Sequence, residues 1–257
     1  MKIRLSLLLL VFALACSAPP VKNIEPAADN NVTTLEKFFQ RSESDTARAG
    51  AVIQKHNIIQ QLTHLKLMDR GGTKFYLLER ENITEMINAV TEGIYLDYIL
   101  INRHGDIIYT KSNDSIFGTN VNEGYEATPL RNCFANRGEI YFEDVSLITP
   151  ASKTYSLYVS SPVYVQNSFH GILVMQIDIS KVHELLEKET DVINRDGLIK
   201  VASDSARINS QIGNYSDFNL SEIKETGSSR INAAGEELSL KAFNFRSISW
   251  IIVKKKA

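Results

Sequence analysis

One eight-residue pattern occurs twice in the chain, and it restricts the fold more than any other feature. Ile101-Asn102-Arg103-His104-Gly105-Asp106-Ile107-Ile108 returns as Ile193-Asn194-Arg195-Asp196-Gly197-Leu198-Ile199-Lys200. Each copy follows a β-rich run, and each leads into a polar loop and a glycine, Gly118 or Gly213. Turn residues with a Gly between two such runs mark a β-hairpin. One hairpin tip of this kind is common. Two in matching settings imply two similar modules in tandem, because sequence repetition reports repeated architecture.

The first copy is preceded by helical spacing. Thr33 is a candidate N-cap, and Glu36 stands three residues on, as in a capping box. The stretch to Met68 contains no Pro, and apolar residues recur at Leu35, Phe38, Phe39, Ala49, Val52, Ile53, Ile59, Leu62 and Leu65. Its middle, Gln40 to Arg48, is more polar, and Asp69-Arg-Gly-Gly72 ends it. A second helix is predicted from Lys74 to Val90.

Strands are predicted at Tyr95–Ile101, Asp106–Thr110, Glu139–Val145, Tyr155–Tyr164 and Gly171–Ile179, with a short helix from Ala127 to Ala135. Ser180 is the expected cap of a helix reaching about Lys188. After the second copy, a short helix is expected over Phe218–Thr226, then a meander through Ser228–Ala233, Glu237–Phe245 and Ile248–Lys254. The expected class is α+β: a long N-terminal helix followed by two tandem modules with antiparallel sheets. The predicted divisions are a helix and linker over 33–74, a first module over 75–187 and a smaller one over 188–257.

The N-terminus reads as an export signal over residues 1–15. Lys2 and Arg4 precede the apolar run Leu5 to Leu14, too short to span a bilayer, which takes about 20 residues. Ala13-Leu14-Ala15-Cys16 resembles the lipobox of bacterial lipoproteins, with Ala where the common form has Leu. That resemblance implies acylation at Cys16, an anchored mature protein and a flexible tether over 16–32, rich in Pro, Ala and Asn. Ser17 is not the Asp that retains lipoproteins at the inner membrane of enteric bacteria, so the outer membrane is expected. With Cys16 lipidated, Cys133 has no internal disulfide partner and reads as a buried apolar residue.

A net charge of −2 offers no basic excess for nucleic acid. The five histidines, His56, His64, His104, His170 and His183, do not pair with Cys or carboxylates at metal spacing. His56 and His64 are eight apart on the predicted helix and read as solvated or half-buried. No P-loop, HExxH or GxSxG occurs, so no catalytic residue, metal or cofactor is expected.

Several further runs carry a family likeness. Ile99 to Gly105 is an apolar strand with its hairpin turn; Gly138-Glu-Ile-Tyr-Phe-Glu-Asp144 is a G-to-D run; Tyr158-Val-Ser-Ser-Pro-Val-Tyr164 is a strand carrying Pro; Gly171-Ile-Leu-Val-Met-Gln-Ile-Asp-Ile179 is a strand before a helix. In this order, after a long helix and before Trp250-Ile251-Ile252, they resemble the double Cache, PDC-like sensor domain found outside the membrane in chemoreceptors and histidine kinases. The likeness covers about residues 33 to 254. It implies a small-molecule sensor rather than an enzyme, with its ligand on the concave face of the first sheet. The family's amino-acid binders carry Arg-x-Trp-Tyr ahead of the pocket; here the single Trp is Trp250, so amino-acid recognition is not carried over. No apolar span follows Trp250, so a separate transmembrane signalling protein is the expected partner.

On that placement the expected ligand-binding residues are Tyr98, Tyr141, Asp144, Tyr158, Ser160 and Asp178 from the strands, with Arg131 from the covering helix. Asp144 suits a cationic group, Arg131 a carboxylate, and the aromatics an apolar wall. The pocket is expected in the first module. The second has few residues left to roof one. An envelope interaction protein with a pocketless Cache fold is the alternative.

Overall fold

A computed structural model describes residues 27–68, 74–92, 95–123, 128–211, 219–232 and 235–255. The signal segment, Cys16 and the tether as far as residue 26 lie outside the described residues.

The long helix starts earlier than its sequence suggests and is broken once. Helix α1 (Ala27–Lys55) places Thr33 inside the helix rather than at its cap, and α2 (Ile58–Met68) follows a break at Asn57, whose φ is 51°. An early start is useful because Asn31 is buried: its Oδ1 accepts from Glu187 N (2.9 Å), fixing α1 against the segment between the modules. One stripe of the polar middle of α1, Ser42, Asp45 and Thr46, is buried. Ser42 and Thr46 bond back to the carbonyls of Phe38 and Ser42, at 2.9 and 2.6 Å, and Asp45 accepts from Tyr95 Oη (2.9 Å). Short hydroxyl side chains satisfied by their own helix can be buried at little cost.

After α3 (Lys74–Asn88) come β1 (Tyr95–Asn102), β2 (Ile107–Thr110), α4 (Thr128–Ala135), β3 (Tyr141–Leu147), β4 (Tyr155–Val165), β5 (Ser168–Asp178) and α5 (Ile179–Leu185). The second set is β6 (Thr190–Asn194), β7 (Ile199–Val201), β8 (Ser228–Ile231), β9 (Glu237–Phe245) and β10 (Ile248–Lys255). The described part of the helix expected over 218–226 is a single 3₁₀ turn, Leu220–Glu222. Both sheets are antiparallel, and their orders, β2-β1-β5-β4-β3 and β7-β6-β10-β9-β8, are the same order with each number raised by five.

The repeat sits at one place in each sheet. Asn102 Oδ1 accepts from His104 N (2.9 Å) and Asp106 N (3.0 Å); Asn194 Oδ1 accepts from Asp196 N (3.1 Å) and Leu198 N (2.8 Å). An Asn side chain thus stands in for backbone and holds each turn. Gly105 and Gly197 then take φ of 89° and 81°, a region L side chains avoid.

Alternation along the strands gives each sheet two apolar faces. One face of both sheets packs on α1 in a single cluster: Leu100, Leu157, Val159 and Met175 from the first, Phe243, Trp250 and Ile252 from the second. Phe39 is its hub, with ring centroids 5.2–5.4 Å from Phe142, Phe243, Phe245 and Trp250. The opposite face of the first sheet carries a separate cluster with α4. The opposite face of the second carries a third.

Candidate functional site

The α4-covered face of the first sheet combines apolar packing with buried polar groups. Ile99, Ile101, Ile172 and Val174 from the central strands meet Leu130, Cys133 and Phe134 of α4. Toward β3 the lining becomes polar. Glu143 accepts from Asn132 Nδ2 on α4 (2.8 Å) and from the Tyr141 hydroxyl (2.9 Å). Burial pushes the Glu143 carboxyl above its ordinary range, and the two hydrogen bonds only partly oppose that. The Tyr141 phenol is raised by burial and by Glu143's charge, and the fully buried Cys133 thiol likewise, which leaves the thiol inert.

Four of the seven residues expected to bind ligand belong to this region. Tyr158 is fully buried in the α4-side cluster, with its hydroxyl toward Ser146 O (3.4 Å). Tyr141 packs at the cluster's edge, and Ser160 Oγ lies 3.5 Å from Tyr141 O. Arg131 Nε donates to Val121 O (2.9 Å), tying α4 to the loop after β2.

The other three point elsewhere. Tyr98 lies on the α1 side of the sheet, where its hydroxyl donates to Asn88 Oδ1 (2.8 Å) and Lys111 Nζ stands 5.0 Å from the ring centre. Tyr98 and Tyr158 therefore cannot share a pocket. Asp144 faces the second module: Trp250 Nε1 donates to it (2.9 Å), and Lys200 Nζ is 3.4 Å away. Asp178 caps α5, accepting from Ser180 N (2.9 Å), so Asp178 and not Ser180 is the N-cap. The residue that sequence reasoning missed is Glu143. It is adjacent to the expected Asp144, and one residue along a strand is the opposite face.

Two clefts flank this face and the second sheet. A small one of about 260 Å³ opens by Thr128, Ile148 and Asn209. A wider one of about 810 Å³ lies beside the second sheet, against the expectation that this module has no room for a cavity. Part of its wall comes from outside the module, from His183, Glu184, Leu186 and Glu187 at and just after the end of α5. Its charges are largely paired among themselves or with neighbours, as in Arg207–Asp191, Lys255–Glu236 and Lys254–Glu187.

No family model matches the chain, and no curated protein matches it in sequence. Solved structures match it in fold. An extracellular ligand-binding receptor from Desulfohalobium retbaense superposes with a TM-score of 0.60 at 12% identity, covering 88% of this chain and 38% of that one. The chain thus spans well under half of that receptor's length. The ligand-binding domain of the Pseudomonas fluorescens chemoreceptor CtaA, in complex with L-alanine, gives 0.59 at 9% identity, covering 89% of this chain and 93% of that one. That of the Campylobacter jejuni chemoreceptor Tlp3, in complex with 4-methylisoleucine, gives 0.55 at 12% identity, covering 88% and 86%. A helix followed by two antiparallel five-stranded sheets of one order, shared with these domains, is the tandem Cache, PDC-like fold. Its neighbours are ligand-binding sensor domains of receptors. Among the described residues no helix is long and apolar enough to cross a membrane.

Proposed function

We propose that this chain is an extracytoplasmic small-molecule-binding lipoprotein, anchored by acylation of Cys16 and facing the periplasm from the outer membrane, that reports to a separate membrane protein. The ligand site in this reading is the α4-covered face of the first module, over 75–187, with Tyr141, Tyr158, Ser160 and Arg131 around Glu143. The observation that carries it is Glu143 itself. A half-buried carboxylate held by Asn132 and Tyr141 beside an apolar cluster costs stability, which is how a binding group behaves. Its charge suits a ligand bearing an ammonium group, as the amino acids in the neighbouring complexes do. Arg131 suits a carboxylate on the same ligand.

The test is a thermal-shift screen of the mature chain against amines, amino acids, carboxylates, purines and sugars. A ligand at 100 times its Kd stabilises the native state by about 2.7 kcal/mol. An amine that raises the melting point of the wild type and not of Glu143→Gln supports the site. Cys16→Ser should abolish incorporation of labelled fatty acid, and fractionation to the inner membrane would overturn the outer-membrane placement. A second reading has its own observation: Tyr98 and Tyr158 are each fully buried, packed into solid clusters on opposite faces. If nothing in the screen shifts the melting point, the chain is better read as an interaction protein on a Cache scaffold.

A further inference from the structure

A groove of about 450 Å³ lies away from the α4-covered face, between α2 and the first hairpin turn. Three of the chain's five histidines line it, His64 from α2, His104 from the turn and His170 from β5, together with Arg103. They are brought together by close backbone packing. Gly171, next to His170, pairs with Asn102 so tightly that a Cβ on it would stand 2.1 Å from Ile101 O.

The second module serves as an internal control. Asn102 corresponds to Asn194 in the repeat. Asn102 pairs with Gly171 and Asn194 pairs with Trp250, so His170 corresponds to Ser249, and His104 to Asp196. In the second copy the arginine is consumed by its own module: Arg195 donates to Leu220 O (2.9 Å), Ile223 O (3.0 Å) and Ser249 Oγ (3.3 Å). In the first copy Arg103 makes none of these contacts. Its Nε meets His104 Nε2 at 3.1 Å, and the side chain is exposed at the groove. The acid Asp196 and the hydroxyl Ser249 are replaced by imidazoles. The carboxylate in the first groove is Asp106, which accepts from Asn102 Nδ2 (3.0 Å) and Asn120 Nδ2 (3.1 Å). Gln60 of α2 reaches His170 Nε2 at 3.4 Å, and the buried Ile59 adds an apolar wall.

We infer that this groove is a second ligand site, for a small organic anion: a carboxylate with a compact apolar body, its charge on Arg103 and the imidazoles and its body against Ile59. The volume suits such a molecule, since ligand pockets run from about 300 to 1,000 Å³. A protonated imidazole adds positive charge facing the ligand, so an anion should bind more tightly at the acid end. The charged groups facing it are His64 from α2, Arg103, His104 and Asp106 from the turn, and His170 from β5.

Calorimetric titration of the full chain with benzoate tests this, with benzyl alcohol and benzylamine as neutral and cationic controls of the same body. Benzoate should bind one-to-one at about pH 5.5 and at least about tenfold more weakly at about pH 8. Benzylamine should not bind in the groove. The variant His104→Asp/His170→Ser, which writes the second copy's residues into the first, should abolish benzoate binding, as should Arg103→Ala. His104 and Arg103 are exposed, so circular dichroism and melting point should be unchanged in these variants. No benzoate binding at acid pH, binding that the variants leave intact, or benzylamine binding that Arg103→Ala and the double variant abolish would each overturn the inference. Arg131→Ala, on the other face, should leave benzoate binding as it is; loss there would move the ligand to the first site and overturn this one.

Discussion

Phe39→Ala should be the most damaging single truncation on α1. The ring is fully buried and touches Phe142 of the first sheet together with Phe243, Phe245 and Trp250 of the second. Its neighbours come from β3, β9 and β10, each fixed by its own ladder, so the cavity left behind cannot close. A Phe→Ala change in a core costs about 3–5 kcal/mol, and poor collapse places this one near the upper end. The lost ring contacts add to the penalty, because each aromatic pair contributes about 0.5–1.5 kcal/mol beyond burial. At about 2–4 °C per kcal/mol for a chain of this size, the melting point should fall by roughly 10–20 °C. Urea unfolding followed by Trp250 emission and by far-UV circular dichroism reads both sheets at once. Phe39 joins them, so the two curves should shift together. A loss below about 1 kcal/mol, or a shift in the Trp250 signal alone, would refute a core shared through α1.

Asp144→Asn should shift Trp250 emission, since the indole N–H loses a charged acceptor, and should cost about 1–2 kcal/mol; the value is below that of a fully buried pair because Asp144 is 36% exposed and Lys200 keeps Val145 O and Asn209 Oδ1. Glu143→Gln should raise the melting point at neutral pH. A carboxyl whose folded pKa lies above its unfolded one leaves the native state fully stable only below the unfolded value, and stability falls as pH climbs through the folded one. The variant should flatten that part of the pH–stability curve, and a variant less stable than wild type at neutral pH would contradict this. Gly171→Ala should cost about 2–3 kcal/mol in urea unfolding by forcing β5 away from Ile101 O, whereas Gly138→Ala, where a Cβ meets nothing, should be close to neutral.

The fold was readable in the sequence because its signals are local. Asn102 and Gly105, and again Asn194 and Gly197, encode their turns within four residues, and strand alternation encodes the faces on either side. The start of α1 was not readable, because Asn31 is helical for the sake of a bond to Glu187 N, 156 residues away. Nor was the burial of Ser42, Asp45 and Thr46, which have polar composition but partners within the helix or on Tyr95. The direction of Asp144 was not readable either. On a regular β3, Glu143 and Asp144 face opposite ways, and either carboxylate is a reasonable choice for the ligand side. The choice is made by register: Tyr141 pairs with Ser160 and Glu143 with Tyr158, so Glu143 shares the face of the buried Tyr158 and Asp144 takes the other. Register against β4 is a long-range choice that the residue pattern of β3 alone does not encode. Its result is that one strand carries two acids back to back, Glu143 held by Asn132 and Tyr141 under α4, and Asp144 held by Trp250 and Lys200 of the second module.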